Sequence, residues 1–417
     1  MVFIRKICNV VAQPVMVAAG RQASYGFLIL LTVVGKAIAE AVDEPDVLSV
    51  YAAVGMEYDS NVFRYSNEEE ALAASGNAAM SARHTFYGAG AQANLMLGRQ
   101  QVRVDGNVTT VEFDRFDFLD YTGGNVAADW GWEVGKRWNG DVGYRYLRTS
   151  ADFEEEQRFT QDIRTERSRY VSGHYLLRPS WSLGGEVRRS SQTHSETGRQ
   201  LLNRESDAFE IQLRHLNTAN TYLGVRLRYI DTTFTERSFS PGASLDDGYV
   251  DVDLSIIGKL EPVTDSYLTG YIGYTRREYD HLGGQDFFGL VTSLSYAWPV
   301  TNKVRMNVSV WRELDPVESA LVDHIVQQGV SVEPGWMATE KVTVTGRLLY
   351  ELRDRQGDGN DSQNREDEIS RAGLTLAYRP IDSLAINVSA EAGHRDSEVE
   401  SAEYTYRTFS LEGRLSF

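Results

Sequence analysis

The chain has 417 residues, of which 42% are hydrophobic, and its 59 acidic residues outnumber 42 basic ones to give a net charge of −17. So acidic a chain argues against nucleic acid as a partner, because phosphate backbones are bound by basic patches. This length normally indicates two or three soluble domains, but a β-barrel of this size can be one unit. The apolar residues are dispersed, and the mean hydropathy is −0.36.

The N-terminus has the order of a secretory signal peptide. Three basic residues between positions 5 and 21 precede an apolar run over residues 25–34 and an Ala-x-Ala pattern. The run is shorter than the roughly 20 apolar residues that a membrane-spanning helix needs. We therefore predict that residues 1–41 are a cleaved signal peptide, with a retained anchor as the alternative and either Met1 or Met16 as the start.

Cysteine chemistry is predicted to be absent after cleavage. The sequence contains one cysteine, Cys8, and it lies in the predicted signal segment. The processed chain would therefore have no disulfide, no thiolate metal site and no cysteine nucleophile. Residues 42–417 are predicted to form a single domain.

Beyond the signal segment, apolar and polar residues alternate over stretches of about ten positions. In residues 222–230, for example, Val225 and Leu227 alternate with Arg226 and Arg228. Alternation of this kind is typical of a transmembrane β-strand with one face toward lipid and the other toward a polar interior.

Short turn signals recur about every forty residues. They fall at Gly98 and Arg99, Asn139 and Gly140, Pro179, residues 217–220, Pro262, residues 299–302, Pro334 and Gly335, and Pro380. Longer polar connections occupy residues 59–82, 150–166, 190–204 and 353–367. Two strands around each of eight turns, with a first and a last strand, predict an all-β, antiparallel up-and-down barrel of 18 strands from about Leu48 to Phe417. Short turns at one end and long loops at the other indicate an integral protein of the outer membrane.

The C-terminus alternates and stops at an aromatic residue. Phe409, Leu411, Leu415 and Phe417 lie on one face of the last predicted strand. A final strand that ends in Phe is typical of the assembly signal read by the barrel insertion machinery, and we predict that role for these four residues.

Arginine dominates the basic residues, with 36 Arg and only six Lys. Nine arginines alternate with apolar neighbours and are predicted to line the lumen: Arg145, Arg188, Arg214, Arg226, Arg228, Arg305, Arg347, Arg371 and Arg414. Rings of arginine select for anions, but arginines can also pair with carboxylates and fill a barrel. A codon preference for Arg over Lys is the simplest alternative.

No enzymatic or metal-binding motif stands out. The sequence has no Gly-x-Ser-x-Gly elbow, no His-Glu-x-x-His pair and no phosphate-binding glycine loop, and its seven histidines are scattered. The stretch from Asp354 begins like a calcium loop, but Gln356 and Arg365 stand where acidic ligands are needed. We predict no enzyme, no cofactor and no metal site, with a Ser-His or Asp-His site assembled across the rim as the alternative.

Residues 51–64, which include Tyr58, Asp59, Ser60 and Asn61, resemble the opening of the EpsL-like proteins. These are outer-membrane barrels of exopolysaccharide operons, within a wider β-barrel porin group. The Trp-rich stretch at residues 130–140 is also similar. The resemblance implies an outer-membrane barrel associated with exopolysaccharide biosynthesis, and its motifs are structural rather than catalytic.

Three functions are compatible with these features. The leading hypothesis is a channel or conduit for polysaccharide export, since an 18-stranded barrel is wide enough for an aqueous lumen. The alternatives are a general diffusion porin for small solutes and a non-conducting scaffold of a secretion complex. The expected partners are outer-membrane lipid and lipopolysaccharide, the barrel insertion machinery and, for the first hypothesis, exopolysaccharide and secretion components.

Overall fold

The computed structural model describes residues 47–154, 157–218, 221–240, 245–315, 324–356 and 365–417, and the predicted signal peptide lies outside them. Within these residues, 18 strands form a single sheet. The strands are β1 (Leu48–Asp59), β2 (Ala82–Leu97), β3 (Gln100–Phe113), β4 (Tyr121–Val134), β5 (Trp138–Ser150), β6 (Ile163–Arg178), β7 (Trp181–His194), β8 (Arg204–Thr218), β9 (Thr221–Phe234), β10 (Gly248–Leu260), β11 (Tyr267–Tyr279), β12 (Phe287–Thr301), β13 (Val304–Asp315), β14 (His324–Met337), β15 (Val342–Gln356), β16 (Arg365–Ile381), β17 (Leu384–Ser397) and β18 (Tyr404–Ser416).

The sheet closes on itself. Each strand pairs antiparallel with its neighbours in sequence, and β1 also pairs with β18, with Tyr51 opposite Ser416. The amide of Phe417 extends this contact by donating to the carbonyl oxygen of Val50 at 2.8 Å. Closure leaves no free strand edge, so the backbone N–H and C=O groups of every strand have a partner strand on each side. The prediction of an 18-stranded antiparallel barrel is confirmed.

The two ends of the barrel differ. Eight short turns of two to six residues lie at one end, and nine loops of six to 22 residues lie at the other. In outer-membrane barrels the short turns are periplasmic and the long loops extracellular. The end with the short turns is therefore the periplasmic end of this barrel, and the end with the long loops is the extracellular end.

The turn predicted at Asn139 and Gly140 is wrong. Both residues lie inside β5, and the chain reverses at residues 135–137, where Gly135 adopts a φ of 65°. Gly140 pairs with Trp132 of β4, and a Cβ there would lie 2.5 Å from the indole ring. The glycine therefore makes room for a tryptophan on the outer face rather than for a turn.

The turn predicted at Pro334 and Gly335 is also wrong. Both lie inside β14, where Pro334 pairs with Met306 of β13, and the turn follows at residues 338–341. Because proline lacks an N–H, it interrupts the pairing with β15, whose register skips this position. Pro380 likewise lies inside a strand, β16, at a register shift just before its turn.

The outer face of the barrel is apolar. On β9, for example, Leu223, Val225, Leu227 and Tyr229 are all exposed, while the residues between them point inward. Exposed aromatic residues of this face lie near the periplasmic ends of the strands: Trp138, Trp181, Trp336 and Tyr378. An apolar belt bordered by aromatic residues fits a hydrocarbon layer and its interface.

The extracellular loops carry the buried apolar cluster. The β1–β2 loop contains one helix, α1 (Glu68–Ser75), which starts at Asn67, whose side chain accepts from the amide of Glu70, and ends at Gly76. Among the described residues, no helix is long and apolar enough to cross a membrane. Phe63 is fully buried and packs against Phe116, Phe153 and Phe159 of the next two loops. The loops are thereby packed against one another instead of extending separately.

Candidate functional site

All nine arginines predicted from the alternation lie on the inner face, because each is flanked along its strand by residues of the apolar outer face. On β16, for instance, Arg371 and Thr375 point inward while Leu374 and Leu376 are exposed outward. The nine arginines differ in their partners and in their exposure. Eight of them form three groups, and the ninth, Arg371, bonds to a loop residue, Glu154.

Three of the nine reach the open lumen beside a carboxylate. Arg145 lies 3.2 Å from Asp129, and its side chain is 53% exposed. Arg347 lies 3.5 Å from Glu333 and is similarly exposed. Arg188 lies 2.7 Å from Glu186 of its own strand. Such exposed pairs hold their charge in contact with lumen water.

Three others lie near the periplasmic end. Arg214 and Arg414 lie over the rings of Tyr222 and Tyr51, at 4.4 and 3.5 Å from the ring centres. These cation–π contacts fix the two guanidinium groups against the wall. Arg305, near the turn between β12 and β13, is exposed.

Arg226 and Arg228 are built into the wall. Their side chains are 14% and 33% exposed. Arg228 lies 2.5 Å from Asp253, while Arg226 donates to Ser255 at 3.1 Å and lies over the ring of Tyr271. The two therefore belong to a hydrogen-bonded ladder between β9 and β10, and are not free charges of the lumen.

The sequence pattern missed the most buried member of this ladder. Arg277 on β11 is 2% exposed and donates through Nε and Nη2 to the two oxygens of Asp251, at 2.7 and 2.8 Å. It also lies over the ring of Tyr249. Alternation is consistent with its inward face, but its burial depends on the register between β10 and β11, which places Asp251 opposite Arg277. A cavity of about 1030 Å³ borders this wall, lined by Arg145, Arg188, Arg228, Glu166 and Tyr271 among others.

A second ionic cluster surrounds Asp367, which is fully buried at the extracellular end of β16. It accepts from Arg355 at 2.7 Å, from Ser397 at 2.6 Å and from Arg395, and Arg365 lies 3.2 Å away. Three guanidinium groups are thus gathered around one buried carboxylate. Of these arginines, none was predicted from the sequence.

Next to this cluster, a loop crosses the lumen. Residues 151–162 connect β5 to β6, and Glu154 within them accepts a hydrogen bond from Arg371 on β16 at 2.5 Å. Arg395 on β17 donates to the carbonyl oxygen of Glu154 at 2.6 Å. In the closed ring β6 and β16 are ten strands apart in one direction and eight in the other, so the loop reaches nearly the opposite wall.

The β1–β2 loop is hydrogen-bonded to the loop that crosses the lumen. The side chain of Gln157 donates to the carbonyl oxygen of Arg64 at 2.5 Å. Arg64 in turn lies 2.8 Å from Asp59 and 3.9 Å from the ring centre of Tyr406 on β18. Arg371 is six residues from the extracellular end of β16, so the crossing lies inside the barrel rather than above its rim.

Two His–Asp pairs occur in the extracellular loops. His194 lies 2.6 Å from Asp162, and the other nitrogen of its ring lies 3.0 Å from the side chain of Gln192. Burial alone would raise the pKa of Asp162, but hydrogen bonds from His194 and from the amide of Glu196 hold that pKa below its usual value. The pair ties the loop between β5 and β6 to the end of β7. Because the second ring nitrogen lies against an amide rather than a hydroxyl, the pair lacks the geometry of a nucleophile–base pair.

The second pair is His281 and Asp246. Together with Asp247 it forms a group that offers three potential metal ligands. Asp246 already accepts hydrogen bonds from the amides of His281 and Leu282, both at 2.7 Å. Its hydrogen bond to the ring raises the pKa of His281. Through these bonds, the group holds two extracellular loops together.

A closed barrel satisfies the backbone groups of every strand without water, and an outer face as apolar as this one is stable against lipid rather than against water. The chain is an integral β-barrel protein of the outer membrane. Its asymmetry between short turns and long loops matches that class.

No protein-family model matches the sequence, and no curated protein matches it. Solved structures do. The outer membrane protein OpdK of Pseudomonas aeruginosa is 8% identical, with 89% of this chain and 99% of that chain covered and a TM-score of 0.49. The siderophore receptor PirA of Pseudomonas aeruginosa is 8% identical over 90% and 81% of the two chains, with a TM-score of 0.43. The ferric-catecholate import receptor Fiu of Escherichia coli K12 is 9% identical over 89% and 82%, with a TM-score of 0.44.

Proposed function

We propose that this barrel is a diffusion channel for small acidic solutes. The observation that carries the proposal is the loop at residues 151–162, which is held across the lumen among arginines of the opposite wall. A loop in this position narrows the passage and places the narrowed part beside arginines of β16 and β17.

The arginines at this crossing are the proposed source of a preference for anions. The charged residues bonded to one another around the crossing are Arg353, Arg355, Arg365, Arg371, Arg395, Glu154, Glu351 and Asp367. These five arginines are the groups to which we assign the attraction of acidic solutes. Guanidinium groups remain charged at any physiological pH and present a fork of donors that suits carboxylates.

A second candidate is the passage of an acidic polymer, which the resemblance to the EpsL-like proteins suggests. The same arginines would suit a polyuronate chain. This candidate requires the loop at residues 151–162 to leave the lumen, which would break the contacts of Glu154 with Arg371 and Arg395. We therefore place it behind a channel for small solutes.

Liposome swelling with the purified barrel tests the proposal. Glucuronate should enter faster than glucose, because the two are similar in size and differ in charge. The double variant Arg145→Gln/Arg188→Gln should reduce this difference, while Arg276→Gln, on the outer face, should leave it unchanged. Equal entry of both sugars, or an absence of swelling with a folded barrel, would refute the proposed function.

The same assay separates the two candidates. Oligogalacturonates of increasing length should be excluded once they exceed a few sugar units. If long oligomers enter as readily as the monomer, the polymer conduit becomes the better description.

A further inference from the structure

Three exposed arginines form a basic patch on the lipid-facing side of the barrel. Arg167 and Arg169 lie on β6, and Arg148 lies on the adjacent strand β5. Alternation places Arg167 and Arg169 on the same face as Val171, which is exposed to the outside. Arg148 is likewise on the face of exposed Tyr144. We call Arg148, Arg167 and Arg169 the outer arginine patch.

The patch carries positive charge that the described part of the chain does not neutralise. Among the described residues, no carboxylate lies within 4.0 Å of Arg148, Arg167 or Arg169. Arg148 donates to the carbonyl oxygen of Thr122, and Arg167 lies 5.8 Å from the ring centre of Tyr146. The chain has a net charge of −17, so the positive charge of this cluster is opposite in sign to that of the protein as a whole.

A fourth arginine increases the local repulsion. Arg189 on β7 lies directly opposite Arg169 in the strand pairing. Like charges opposite each other in a sheet are destabilising. Arg189 is balanced by Glu205 and Asp207 of β8, whereas Arg169 is not. An external anion would therefore stabilise this part of the sheet.

The patch lies at the extracellular border of the apolar belt. Arg169 precedes exposed Val171, and Arg189 follows exposed Val187, so in both strands the arginine is two residues nearer the long loops. A guanidinium on the lipid face costs about 2–4 kcal/mol at the membrane midplane but only about 0–1 kcal/mol near the interface. At this level, the outer leaflet of an outer membrane presents the phosphate groups of lipopolysaccharide.

We propose that the outer arginine patch binds the phosphate groups of the lipid A part of lipopolysaccharide. Arginine forms bidentate, charge-assisted hydrogen bonds with phosphate, and anionic headgroups attract basic clusters at a membrane surface. The exposed apolar residues beside the patch, Val171 and Val187, would contact the acyl chains of the same lipid. The site is independent of the lumen and of any transport activity.

Native mass spectrometry of the full-length barrel in detergent tests this site, with diphosphorylated lipid A as the probe. The double variant Arg167→Gln/Arg169→Gln should bind at least about tenfold more weakly, since two charge-assisted contacts are lost. Arg276→Gln is the matched control, because Arg276 is an exposed outward arginine already bonded to Glu278, and it should bind like the unchanged protein. Arg167→Lys/Arg169→Lys should retain part of the affinity for lipid A. Lysine keeps the positive charge but cannot form the bidentate hydrogen bonds that a guanidinium group makes with phosphate.

Further measurements distinguish the sources of phosphate and confirm folding. Heat-modifiable migration on gels checks that each variant is folded. Inorganic phosphate at millimolar concentration should not displace lipid A, and dephosphorylated lipid A should bind the unchanged protein and the double variant equally weakly. Equal binding of lipid A by the folded double variant would overturn the proposal. Displacement of lipid A by inorganic phosphate would also overturn it. If the double variant instead binds lipid A normally but changes the number of barrel copies per complex, the patch is a contact between barrels and the proposal is wrong.

Discussion

Glu154 and Arg371 are 217 positions apart in sequence, yet a 2.5 Å hydrogen bond joins them across the barrel. The bond links the loop after β5 to the wall at β16, and Arg395 on β17 holds the same glutamate through its backbone. The two contacts hold residue 154 against the wall formed by β16 and β17.

Removing the charge of Glu154 should make the channel more selective for anions. In Glu154→Gln, Arg371 loses its carboxylate partner and faces the passage with its charge unbalanced. We expect the chloride-to-potassium permeability ratio to rise about two- to fivefold, equivalent to the ~0.5–1 kcal/mol of a solvent-screened ion pair. Reversal potentials across planar bilayers in a KCl gradient measure it. Glu278→Gln, on the outer face, is the control and should not change the ratio.

The position of the loop can be tested directly by crosslinking. The variant Glu154→Cys/Arg371→Cys, with Cys8→Ser to remove the native thiol, should react with a bismaleimide to give an internal crosslink. The crosslinked species should migrate differently on a denaturing gel. Ser389 also points inward, but it lies on β17 and deeper in the barrel. The variant Glu154→Cys/Ser389→Cys should therefore crosslink much less. Equal crosslinking of both pairs would contradict a fixed crossing of the lumen.

Asp367→Asn should destabilise the barrel strongly. The substitution leaves Arg355 and Arg395, both almost fully buried, without the carboxylate they share. Breaking a buried ion pair from one side typically costs about 3–5 kcal/mol. The free energy of unfolding in guanidinium chloride, followed by tryptophan fluorescence, measures it. Asp382→Asn, in an exposed periplasmic turn, should change stability by less than about 0.5 kcal/mol.

Arg145 and Arg228 should respond in opposite ways to neutralisation. Arg228→Gln leaves Asp253, which is 4% exposed, without its guanidinium partner and should lower the free energy of unfolding by about 2–3 kcal/mol. Arg145→Gln should leave stability nearly unchanged, because its pair is exposed, and should lower anion selectivity instead. A loss of stability in Arg145→Gln equal to that in Arg228→Gln would show that the two arginines do not differ in role.

Phe417→Asp should reduce the amount of barrel in the outer membrane. The residue closes the pairing of β18 with β1, and its ring is exposed on the outer face. A carboxylate there would face the membrane and interrupt the apolar face formed with Phe409, Leu411 and Leu415. Immunoblots of outer-membrane fractions measure the effect, with Ser416→Ala, on the inner face, as the control. Unchanged levels of Phe417→Asp would argue against the terminal residue as an assembly signal.

The sequence by itself determined the barrel, the number of its strands and the face on which each arginine lies. These follow from a local rule, since successive side chains of a strand point to opposite sides and a membrane demands that one side be apolar. Turns were less well determined. Asn139 and Gly140 have the residue types of a tight turn, yet Gly140 serves to accommodate the ring of Trp132 on the neighbouring strand.

Only the tertiary structure decided what each arginine does. Arg145 and Arg228 have the same alternating context, but one faces lumen water and the other is held by Asp253 of the next strand. The crossing of the lumen by Glu154 joins residues that no local pattern relates. Burial and pairing depend on the register between neighbouring strands, and the crossing depends on which strands lie opposite each other in the closed ring of 18.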